Sequence, residues 1–312
     1  MLKITLNKNR LRNKILITLA ALFCVGFSFI SYVGPRMIIE INNEVYKSHV
    51  EANVTIASPE NYGLNSESII FESKDGLKLN ALLIKTDSVN QKGTIILVHG
   101  IRSYKEHFIP VSKRITDKGF NAVLIDLRAH GQSEGKYCTF GNKEKQDISC
   151  LIDDLNTLPN LSQKYIIWGQ SLGAAVSLQA LSIDDRIKVG IIESTFSDYR
   201  QIVHDYSKNT VSFAPGFVVD YFIWLSELMG DFKADETVPS EAAKNVHQAV
   251  LMVHGEKDRR INIAYGRLNY ENLASQKKEF LAYPEANHLN VWKVGGQAFF
   301  DKVFNFIEEN IN

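Results

Sequence analysis

The 312-residue chain carries 35 Lys plus Arg against 35 Asp plus Glu, a balance that gives no reason to expect nucleic acid or an acidic partner. Its length suits one large core, since sheet-and-helix enzymes commonly hold about 270 residues in a single domain. Three cysteines make no disulfide framework: Cys24 falls in an apolar run, and Cys138 and Cys150 are expected to remain unpaired thiols.

The charge is unevenly placed. Residues 1–14 hold Lys3, Lys8, Arg10, Arg12 and Lys14 with no acid, leaving a mildly acidic remainder. Residues 15–33 are uncharged and mostly Leu, Ile, Phe, Val and Ala, which matches the length of a membrane-spanning helix. With the basic residues upstream, the positive-inside bias predicts a signal-anchor whose N-terminus is cytoplasmic and whose body lies across the membrane. Gly26-Phe27-Ser28 is a small-x-small site, so cleavage of a signal peptide and secretion is the alternative. The apolar run continues past that site, which favours the uncleaved anchor.

Residues 34–66 read as a connecting stalk. From about residue 67 to the end, short β-rich runs alternate with helical periodicity, which predicts a mainly parallel sheet of eight strands with helices on both faces. The strand candidates are Ile69–Glu72, Leu77–Ile84, Thr94–Val98, Ala122–Ile125, Tyr165–Trp168, Val189–Ile192, Val250–Val253 and Glu279–Ala282. Between the fourth and fifth, Ile148, Leu151, Ile152, Leu155 and Leu158 share one helix face that Pro159 closes. The stretch from Ile192 to Val250 is too long for a connection and predicts a small lid over about residues 197–245, with Pro215 starting a helix and Gly230 ending it. Its aromatics, Phe222 and Trp224 among them, are expected to fill space between lid and core; the alternative is that they line an acyl-binding cleft.

G-x-S-x-G occurs twice, at Gly131–Gly135 and at Gly169–Gly173. A nucleophile elbow needs a strand running into the first glycine and a helix running out of the serine. Tyr165–Trp168 and Gly173–Leu178 supply both around Ser171. Ser133 lies several residues past its strand and leads into loop, so it reads as a turn serine. A serine hydroxyl needs a base, and the base needs an acid to orient it. Asp258 follows one late strand and His288 follows the next, in the order serine, acid, histidine. Glu193 and Asp198, after the preceding strand, are the alternative acids. His49, His107, His204 and His247 lack strand-end context, while His99 and His254 come at the wrong place in the order to be the base. The oxyanion donors expected are the backbone N–H groups of Leu172, directly after the serine, and Ile101, in the His99-Gly100-Ile101 turn.

Val98-His99-Gly100, Asp126-Leu127-Arg128-Ala129-His130-Gly131-Gln132-Ser133, Gly169-Gln170-Ser171-Leu172-Gly173, His254-Gly255-Glu256-Lys257-Asp258 and His288 together resemble the α/β-hydrolase superfamily. The chain looks most similar to membrane-anchored, serine-aminopeptidase-like members, which include acyl-thioesterases and esterases. Ala129 departs from the glycine usual between Arg and His in that loop. The resemblance implies a serine hydrolase of carboxylic esters or thioesters acting on a small or lipid-like acyl substrate, with no cofactor or metal. A peptidase using the same residues, or a non-catalytic binding protein of this fold, is the alternative.

Overall fold

All eight apolar runs expected as strands enter one sheet. A computed structural model describes residues 2–41, 46, 57–210 and 215–311. Within it, β1 (Ser66–Glu72), β2 (Lys78–Ile84), β3 (Gly93–Val98), β4 (Phe120–Ile125), β5 (Tyr165–Gln170), β6 (Ile187–Glu193), β7 (Ala249–Gly255) and β8 (Lys278–Tyr283) follow the order β1-β2-β4-β3-β5-β6-β7-β8. β2 is antiparallel to both β1 and β4, and each remaining neighbour pair is parallel. This is the α/β-hydrolase fold.

The two faces of the sheet separate by the two-residue period of a strand. In β3, Ile96 and Val98 join the core beneath α3 (Glu144–Leu155) and α4 (Leu172–Leu181), while Ile95 and Leu97 join the core beneath α2 (Ile109–Asp117) and α8 (Val291–Asn310). All four side chains are fully buried, each worth about 1.5–3 kcal/mol of apolar burial, which is why the central strands read as unbroken apolar runs. The edge strands β1 and β8 are more exposed.

Three segments differ from the sequence expectation. The helix between β4 and β5 ends at Leu155, so Leu158 lies in the turn beyond it; the Thr157 hydroxyl and N–H both donate to the Asp154 carbonyl and tighten that end. The lid helix ends at Gly230 as expected, but the left-handed residue is Asp231 at φ 50°; Gly230 is small because a Cβ there would sit 2.9 Å from the Phe232 ring. Most notably, α1 (Leu2–Ile39) runs through Pro35 into what reads as stalk. Its end docks on the body, with Ile39 fully buried and its carbonyl accepting from Cys138 N–H at 2.9 Å. The stalk positions 42–45 and 47–56 lie outside the described residues. Between β6 and β7 lie α5 (Tyr199–Thr210) and α6 (Gly216–Gly230), and α7 (Ile263–Asn272) follows β7. Cys24, Cys138 and Cys150 are all unpaired.

Asp126, at the end of β4, pins the loops around the site. Its carboxylate accepts from Lys105 N–H at 2.7 Å, from Lys105 Nζ at 2.6 Å and from Gln132 N–H at 2.9 Å, and both ionic side chains are buried. Replacing Lys105 by Met leaves that carboxylate without its cation. We expect a loss of about 3–5 kcal/mol in urea unfolding with an unchanged m-value.

Candidate active site

Ser171 sits at the tip between β5 and α4 with φ 57° and ψ −118°, a conformation that an L residue rarely holds. The flanking glycines are required by how closely α4 packs onto the sheet. A Cβ on Gly169 would lie 2.3 Å from the Gly173 carbonyl oxygen, and one on Gly173 would lie 2.0 Å from the Val98 carbonyl oxygen. The Ser171 N–H donates to the Glu193 carbonyl at 2.9 Å, which continues the β5–β6 ladder one residue beyond the strand.

The structure brings Ser171, His288 and Asp258 into one hydrogen-bonded line. His288 Nε2 lies 2.9 Å from Ser171 Oγ, and His288 Nδ1 lies 2.7 Å from Asp258 Oδ2. The other carboxylate oxygen accepts from the N–H groups of Arg260 and Ile261, both at 2.9 Å. Burial alone would raise the Asp258 pKa, but hydrogen bonds from His254 and His288, the His288 charge and the Ile261 N–H outweigh it and hold the group well below the usual carboxylate range. An ionised carboxylate only accepts, so His288 Nδ1 carries the proton and Nε2 is free to accept from the serine hydroxyl.

Glu193 does not share this line. Its buried carboxylate accepts from the indole N–H of Trp168 and from that of Trp292, the latter at 2.8 and 2.9 Å. Burial pushes it up to about 7 against the opposing indole and Gln170 hydrogen bonds. Asp198 accepts from Gln201 N–H at the start of α5. His99 accepts from Leu127 N–H at 3.2 Å through Nε2, so its Nδ1–H donates to the Gly100 carbonyl at 2.8 Å and steadies the turn that carries Ile101. That turn lies against Ser171: a Cβ on Gly100 would be 3.3 Å from Ser171 Cβ. Leu172 is the first residue of α4, so its N–H has no partner within the helix. Ser133 has both hydroxyl roles filled, donating to the Asp126 carbonyl at 2.6 Å and accepting from Asn80 N–H at 2.8 Å.

Residues 89–217 match the family model described as serine aminopeptidase, S33. A monoacylglycerol lipase of Mycolicibacterium smegmatis is 23% identical, covering 65% of this chain and 83% of the lipase. Protein YqkD of Bacillus subtilis is 26% identical over 61% of this chain, and the match spans 63% of that relative's length, just under two thirds. An esterase of Pyrococcus furiosus superposes with a TM-score of 0.68 at 22% identity, covering 82% of this chain and 97% of the esterase. The chain has the fold of these hydrolases.

A cavity of about 420 Å³ opens beside His288, rimmed by Lys257, Arg259, Arg260 and Glu285. Tyr206 of α5 is near enough for its phenol, raised chiefly by burial, to be influenced by Arg260, Asp258 and Arg102. No pattern marked Tyr206 in the sequence. Phe222 and Trp224 are not brought to the hydrogen-bonded line: Phe222 presses on Gly34 of α1, and Trp224, half exposed, stacks on Tyr221. Among the described residues, no group of three His, Cys, Asp or Glu side chains is placed to hold a metal ion.

The raised Glu193 pKa makes a signed prediction. The folded state keeps the proton between about 4.5 and about 7 while the unfolded chain releases it, so stability falls as pH rises through that window. Glu193→Gln should remove this fall, worth about 3 kcal/mol, from the unfolding free energy followed against pH.

Proposed function

We propose that this hydrolase cleaves carboxylic esters or thioesters through an acyl-enzyme on Ser171. His288 takes the serine proton as Oγ attacks the acyl carbon and returns it to the leaving alcohol or thiol. Asp258 fixes the His288 tautomer and stabilises the imidazolium that forms. The N–H groups of Leu172 and Ile101 receive the oxyanion, and water then attacks the acyl carbon with His288 again as base. The observation carrying this reading is the 2.9 Å and 2.7 Å pair of contacts that runs from Ser171 Oγ through His288 to Asp258.

The substrate reading follows from the surroundings. Among the described residues, one helix, within Asn9–Ile39, is long and apolar enough to cross a membrane. Retained as an anchor with residues 1–14 in the cytoplasm, it places residues 67–312, including the lid at 197–245, across the membrane and close to lipid-derived acyl groups. A relative named monoacylglycerol lipase supports such a substrate class.

Ser171→Ala should lower ester turnover by roughly a thousandfold or more, while Ser133→Ala keeps most of it. Asp258→Asn should fall steeply and Glu193→Gln modestly in the same assay. Equal damage from the two serine substitutions, or a dead Glu193→Gln beside an active Asp258→Asn, contradicts the assignment. Rates on matched esters, thioesters and peptides then define the bond cleaved.

A further inference from the structure

The helix α6 is buried along one side only. Val219, Ile223, Ser226 and Gly230 are buried against the body at helical spacing. Tyr221 and Phe222 face α1: Tyr221 OH lies 3.0 Å from Ser31 Oγ, its ring stacks on Phe27 at 5.7 Å, and the Phe222 ring abuts Gly34 so closely that a Cβ there would lie 2.5 Å away. Phe217, Trp224 and Leu228, spaced i−4, i+3 and i+7 from Tyr221, continue its side of the helix and are 75%, 51% and 61% exposed. Asp220 interrupts that side and is paired with His204 at 2.8 Å.

The pairings along the two helices set the direction of α6. Phe27 and Ser31 meet Tyr221, Gly34 meets Phe222, and Ile39 lies beside Gly230, so α1 and α6 run the same way. Following α6 back from Gly230 toward Gly216 therefore leads from the body into the uncharged run of residues 15–33. Phe27 lies six residues inside the Val33 boundary, about 9 Å along the helix. Tyr221 sits at that depth, and Phe217 is about one turn deeper. Trp224, nearer the body, falls at the level where membrane proteins concentrate tryptophan.

We infer that α6 is embedded in the bilayer beside α1, with Phe217, Trp224 and Leu228 facing lipid, so that the lid is a membrane-seated element. This rests on the reading of α1 as a retained membrane span. The alternative, exposure of these side chains together with the apolar flank of α1 to water, would leave a contiguous apolar patch of a kind soluble surfaces seldom carry.

The test uses the full chain reconstituted in phosphatidylcholine vesicles, with or without bromine on the upper acyl chain. Trp168 is fully buried and Trp292 is packed in the core, so Trp224 is the exposed member of the three tryptophans and the natural reporter. Flotation after an alkaline carbonate wash reads the anchor separately. We expect the protein to float and brominated lipid to lower its emission, a loss absent in Trp224→Phe. A floating protein with equal emission in both lipids, or one whose quenching survives Trp224→Phe, overturns the seating of α6 and leaves the anchor standing. A protein that does not float overturns both.

Discussion

The backbone of Ser171 holds φ 57° and ψ −118°, a state that costs on the order of 1–3 kcal/mol and persists only where its surroundings over-determine it. Here the constraint is the close approach of α4 to β3 and β5. Gly173 lies on the Val98 carbonyl with no room for a Cβ, and Gly169 lies under Gly173 in the same way. Ser171 N–H is tied to β6 through Glu193, so the turn cannot relax without breaking the ladder. The hydroxyl is thereby presented at the strand ends, with the N-terminus of α4 beside it.

Everything else in the site is arranged around that fixed point. Asp258 and His288 come from loops after β7 and β8, and both loops are anchored by the backbone: Lys257 N–H donates to the Ala286 carbonyl, and Gly255 packs so close to Ala286 that a Cβ would lie 2.4 Å from its carbonyl oxygen. The two loops therefore move as one unit, which preserves the short His288–Asp258 contact. With one oxygen held by the Arg260 and Ile261 N–H groups, Asp258 turns the other toward His288 at 2.7 Å, with His254 Nε2 also 3.4 Å from it. Below the sheet ends, Glu193 is held by two indoles and His99 by two backbone groups, so the neighbouring titratable groups are committed to shaping the floor.

Much of this was legible in the sequence because its signals were local and doubly constrained. β3, β5 and β7 are buried on both faces, so they had to read as apolar runs, and the choice of Ser171 over Ser133 needed only the strand before and the helix after it. Ala129 shows the limit of a motif: it takes φ 63° where glycine is usual, and the loop keeps its left-handed turn despite the Cβ. The unread features all depend on partners far along the chain. The contact of Phe222 with Gly34, the use of Trp168 and Trp292 to hold Glu193, and the approach of Tyr206 to the site join segments whose spacing carries no pattern. Residues 34–39 read as the start of a stalk, yet α1 continues through Pro35 to Ile39, which is buried on the body.

The central claim is that Ser171, and no other serine, is the activated nucleophile, and covalent trapping tests it most directly. After reaction with a fluorophosphonate and digestion with trypsin, the account predicts one adduct per chain, on Ser171 in the peptide Tyr165–Arg186. An unmodified chain, or an adduct on Ser133 in the peptide Ala129–Lys136, would contradict it.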